Sequence, residues 1–132
     1  MAPEQKQALE KFGKQIVNEV FDRSCNVLEM IMSHGTKKKG GKTDKLYLAF
    51  RSLDQRSAEV VRLFTLMAID QTFAQFLNYL DEHEIVIPME TNSGEFVDIR
   101  TLSDGLAAEP YSADGWIAKF SKSKNILEKP SS

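Results

Sequence analysis

The sequence predicts an α+β domain, a long antiparallel helix pair packed against a small C-terminal antiparallel β-hairpin or three-stranded sheet. Apolar residues recur every three or four positions from Leu9 to Ile31 and again from Leu46 to Leu80, the period of a helix face. A β-branched run at Ile85–Ile87 then opens a stretch that alternates, and Gly-, Asn- and Ser-rich turns separate the blocks. A chain of 132 residues and 14.9 kDa has room for one core. Residues 1–120 are expected to form that single α+β domain, and 121–132 a flexible polar tail.

The first helix is expected from Pro3 to His34, with Leu9, Phe12, Ile16, Val20, Val27, Leu28 and Ile31 on its buried side. Pro3 suits a first turn, where its missing N–H costs nothing, and Gly35 is placed to supply a left-handed cap. Gly13 lowers helix propensity by about 1 kcal/mol relative to Ala, so it marks either a close contact or a later start near Phe12. The segment Gly35–Lys45 holds three glycines and five lysines against one aspartate. It reads as a mobile, strongly positive connection with nothing to bury.

Helical spacing resumes after Thr43 or Asp44, either of which can cap, and continues to Leu80 with a break near Ser52–Ser57. From Leu63 to Leu80 the large apolar residues cover more than one stripe, so this helix must be covered on two sides. The expectation is that the hairpin and the Trp116 strand cover the second side; a partner or a second copy is the alternative, with Met30, Met32, Met67 and Met89 as adaptable contacts. Thr91–Gly94 marks the hairpin turn, and Pro88, which cannot donate to a ladder, keeps the first strand short or at an edge. A helical turn is expected within Thr101–Ala108. The run Trp116–Phe120, after the turn Asp114–Gly115, is expected to add a third strand.

A formal charge of -2 creates no global field for a polyanion, so any such binding must come from a local patch. No secretory signal or continuous apolar span is legible, and a single cysteine, Cys25, suits a reducing compartment; a soluble cytoplasmic protein is expected. Gly41–Lys42–Thr43 imitates the end of a phosphate loop, but the first glycine is one residue out of register and a helix, not a strand, precedes it. Asp81–Glu84 concentrates ligand types, yet neighbours on a helix face different ways, so no metal site is assigned. Cys25 and His34 lie nine residues apart, about 13 Å along one helix, too far to form a nucleophile–base pair. Cys25 is expected to be a small buried residue.

What remains is charge. Lys37, Lys38, Lys39 and Lys42 form a positive loop, whereas Asp81–Asp114 carries nine acids against Arg100 alone. The expected function is a non-enzymatic protein-binding module of the inhibitor, immunity or adaptor kind. Lys37, Lys38, Lys39 and Lys42 would meet acidic targets, and Glu90, Glu95 and Asp98 basic ones. No catalytic residue and no cofactor is assigned, and the partner is another protein, with a homodimer left open and no membrane expected. Nucleic-acid binding through loop 37–45 is the first alternative, disfavoured by the acidic region that a duplex would meet. A small enzyme with a His-containing site is the second.

Overall fold

The computed structural model describes residues 1–123. A continuous helical rod opens the chain in three parts: α1 (Pro3–Ile16), a π-helical segment (Val17–Asp22) and α2 (Arg23–His34). After a loop, α3 (Lys42–Arg51) and α4 (Gln55–Glu82) follow, then β1 (Pro88–Glu90), β2 (Phe96–Asp98), α5 (Ile99–Leu102) and α6 (Trp116–Phe120). Over the described residues the protein is mostly helical with one small two-stranded antiparallel sheet, α+β in the broad sense.

Burial accounts for the π-helical segment. Leu9, Gly13, Val17, Phe21 and Cys25 are spaced by four residues and all are buried. In a regular α-helix each four-residue step drifts by about 40°, so a stripe this long rotates off the core. The wider turn at Val17–Asp22 absorbs an extra residue and brings Phe21, Asp22 and Cys25 back to the packed side. There the Phe21 ring meets Phe73 of α4, with centroids 5.5 Å apart, and about two turns further along the rod and about three turns back along α4 Arg62 Nε reaches Glu29 Oε1 at 2.8 Å. Between these two contacts residue numbers fall along α4 as they rise along the rod.

Gly13 is explained by Trp116. A Cβ at Gly13 would overlap the indole, which lies flat against the helix backbone and meets the Phe12 ring edge-on at 6.0 Å and 78°. Trp116 belongs to α6, and this corrects the expected third strand: Trp116–Phe120 is a short helix, and the sheet has two strands. A strand would bury alternate residues, Ala118 included. The helix instead turns Trp116, Ile117 and Phe120 inward and leaves Ala118 in solvent. Lys119 Nζ closes the contact on Glu10 Oε1 at 3.3 Å.

β1 and β2 pair Pro88 with Asp98, Met89 with Val97 and Glu90 with Phe96, and Gly94 takes the positive φ of 87° that the turn requires. The turn is fastened to the start of α1, Asn92 Nδ2 donating to Gln7 Oε1 (3.1 Å) and Ser93 Oγ to Glu4 Oε2 (3.0 Å). The hairpin therefore packs beside α1 and does not cover the second side of α4. The expectation that it would is corrected: strands of three residues are too short to span a 28-residue helix.

The chain beyond α6 is held by Asp22. This buried carboxylate accepts from Ser121 Oγ at 2.6 Å, Lys122 N at 2.9 Å and Ser123 N at 3.3 Å. The sequence ends the packed domain at Phe120, whereas these bonds fix the chain through Ser123; the rest of the expected tail, 124–132, lies outside the described residues.

Candidate functional site

The feature with the most capacity for recognition is the outer side of the layer formed by the rod and α4. The core-facing stripe of α4 is Leu66, Phe73, Leu77 and Leu80. Around the rest of the same helix, Val61, Phe64, Met67, Phe76 and Tyr79 are between 43% and 65% exposed, far beyond what core residues of their size show. From Leu63 to Leu80 the only charged residue is Asp70.

On one side of that layer the two helices leave an open groove of about 820 Å³. Val20, Ser24 and Leu28 of the rod form one wall; Thr65, Ala68, Ile69, Thr72 and Phe76 of α4 form the other; Phe21 and Phe73 make the floor. None of these side chains is a carboxylate, imidazole, amine or thiol, so the groove offers apolar contact with the hydroxyls of Ser24, Thr65 and Thr72. Its origin is local sequence. The π-helical turn pushes Val20 outward, 50% exposed, while Phe21 turns in, and the small residues Ser24, Ala68 and Thr72 leave the space between.

The charged residues singled out in the sequence fall elsewhere. Lys37, Lys38, Lys39 and Lys42 are exposed in and after the α2–α3 loop, whose shape is set by Asp44. Asp44 is buried, accepts from Gly40 N at 2.8 Å and lies 3.9 Å from Lys39 Nζ, so this loop does bury one group. Glu90 and Glu95 are exposed on the hairpin. Asp98 is partly buried and already used: its Oδ1 accepts from Ile87 N (2.9 Å) and Arg100 N (3.2 Å), capping α5. The hairpin sits by Gln7 and the lysines follow His34, so the rod separates the two charged groups by about 40 Å. They form the two poles of the molecule and do not converge on one site.

No histidine meets Cys25. His34 is exposed at the end of the rod, and His83 is exposed against the Tyr79 ring at 4.5 Å. Burial, reinforced by Asp22, Glu29 and Asp70, pushes the Cys25 thiol up to about 11, which suppresses its thiolate. Among the described residues Asp70 pairs with no cation: its Oδ1 is buried without a hydrogen-bond partner there, and its carbonyl accepts from Tyr111 Oη at 3.1 Å. Burial first, and Asp70 second, raise the Tyr111 hydroxyl above its ordinary value. Among the described residues no three of His, Cys, Asp and Glu are grouped to hold a metal ion.

α4 is long and apolar enough to span a bilayer by length and composition. Its packed stripe, however, is what holds the rod, and the rod carries Glu10, Lys11, Lys14, Glu19 and Arg23. Insertion would strip Leu66, Phe73 and Leu77 from the core or carry those charges into lipid. Comparison of the chain with protein-family models, with curated proteins and with solved structures gave no match.

Sequence reasoning found the surplus of apolar residues on α4 but missed the groove. The signal was present as an absence: Ala58, Val61, Thr65, Ala68, Thr72, Phe76 and Tyr79 follow one another at three or four residues without a charge among them.

Proposed function

We propose that the chain is a non-enzymatic protein-binding module whose principal contact is the apolar face between the rod and α4. The observation that supports this reading is the groove itself, open, uncharged and continued by exposed Phe76, Val61 and Tyr79. Exposed apolar area of this extent on a soluble fold marks an interaction surface. A helical or otherwise apolar segment of a protein suits it, because such a groove gains from covering hydrocarbon and offers only the hydroxyls of Ser24, Thr65 and Thr72, with no charged group to orient a small polar ligand.

Under this reading the charged poles have a secondary role. Lys37, Lys38, Lys39 and Lys42 at one end and Glu90 and Glu95 at the other steer and orient a partner, and the apolar face supplies the affinity. Asp98 contributes to the negative pole while keeping its structural bonds.

The test is photo-crosslinking in the cell with a photoreactive amino acid at position 72, inside the groove, and another at position 11 on the outer side of α1 as a control. Protein adducts at 72 that are missing at 11 are expected. Lipid adducts, or the same pattern at both positions, would overturn the reading.

A further inference from the structure

We infer that the occupant of this face is a second copy of the same chain, related by a two-fold axis that crosses α4 between Ala68 and Ile69. The inference rests on the reading of the face as protein-binding and names the protein.

A two-fold contact lays a surface against itself, so that residue i of one chain meets j of the other and j meets i. The surface must then be free of charges that would face their own kind. The groove meets this condition, since none of its lining residues is ionised. The spacing along α4 must also read the same from both ends. Val61, Thr65 and Ala68 are separated by four and three residues, and Ile69, Thr72 and Phe76 by three and four. An antiparallel second copy accordingly sets Val61 against Phe76, Thr65 against Thr72 and Ala68 against Ile69. The exposed Phe76 ring meets a smaller branched chain, and two hydroxyl-bearing residues meet each other.

The area agrees. The uncharged strip of α4 is about 30 Å long, and the layer is two helices, about 20 Å, across. That is roughly 600 Å² in projection and more once the relief of the side chains is counted, close to the ~800 Å² per partner of a standard interface. Two such layers face to face make a four-helix bundle, the arrangement that gives a lone helical layer its missing second side.

Sedimentation of the purified full chain from about 1 to about 200 µM reads this directly. A two-chain mass is expected within that range. Ala68→Glu, at a position that is solvent-exposed in the single chain, is expected to weaken association by at least about 100-fold while leaving the circular dichroism unchanged. Chains carrying Thr65→Cys and Thr72→Cys, mixed and oxidised, are expected to join to each other in preference to themselves. A single-chain mass throughout, association untouched by Ala68→Glu, or self-joining of either cysteine chain overturns the inference. If the chain stays single while position 72 crosslinks to a different protein in the cell, the protein-binding reading stands and the second copy falls. A single chain that floats with phosphatidylcholine vesicles assigns the face to lipid and overturns both.

Discussion

The two ends of the rod meet different fates. Around α1 and the π-helical segment, the hairpin, α5, α6 and the second half of α4 enclose Leu9, Val17, Phe21, Ile99, Leu106 and Trp116 in a shared core. Beyond Cys25 the packing thins abruptly, and between Asn26 and Thr65 the only buried residue is Asp44. Leu46, Leu48, Val60 and Phe64 in this stretch remain at least 48% exposed. Both ends are built from amphipathic helices. The first has a second layer supplied by the C-terminal third of the same chain, and the other has none among the described residues, which shows that amphipathic helices alone do not make a core.

This contrast can be broken by substitution. Trp116→Ala should cost about 3–5 kcal/mol, because it empties a filled site between α6 and Gly13; urea unfolding measures it, and a loss below about 1 kcal/mol would deny that the closed end carries the stability. Asp22→Ala should follow at about 2–4 kcal/mol, since it removes the acceptor of the Ser121 hydroxyl and of Lys122 N and leaves Ser123 N with Ser121 Oγ alone. Asp22→Asn, which keeps one acceptor oxygen, should cost less in the same measurement.

Gly13→Ala sets two effects against each other. Overlap with the indole costs about 1–3 kcal/mol and the better helix former returns about 1 kcal/mol. A net loss of about 1–2 kcal/mol is expected, and Trp116→Ala combined with Gly13→Ala should recover part of it. A gain in stability from Gly13→Ala alone would mean that Trp116 does not lie on this backbone.

Alkali should probe the boundary between the two ends. The Cys25 thiol is raised from about 9 to about 11 on folding. Above pH 9 the unfolded chain therefore releases this proton while the folded chain retains it, and stability falls as pH rises through that window, by about 1.4 kcal/mol at pH 10. Melting curves of the protein and of Cys25→Ala at pH 8 and pH 10 isolate the effect, which the variant should lack. The smallest change is expected at the open end: Phe64→Ala, at a side chain 65% exposed, should alter the stability of the single chain by less than about 0.5 kcal/mol. A loss comparable with Trp116→Ala would show that the open end has a core after all.

Much of the fold could be read from local chemistry. Pro3, Gly35 and the three-to-four spacing delimit the rod, and Gly94 with its Asn and Ser neighbours delimits the hairpin turn, because these features depend on residues close in sequence. Trp116–Phe120 could not be read in this way. Five apolar-rich residues satisfy a strand as well as a short helix, and the choice was made by the surface of α1 against which Trp116, Ile117 and Phe120 had to lie. The candidate site was legible by halves. The excess of apolar residues on α4 was plain, whereas the residues first chosen for binding, Lys37 to Lys42 and Glu90 to Asp98, proved to occupy opposite poles.

The sequence by itself determined where the long helices and the hairpin turn form and that apolar residues on α4 exceed a single stripe, since periodicity and turn chemistry act over a few residues. Tertiary structure alone decided which side of α4 is covered. The hairpin's short strands, the indole seated on Gly13 and the carboxylate of Asp22 draw the C-terminal third toward α1. Among the described residues no second layer lies over the other end.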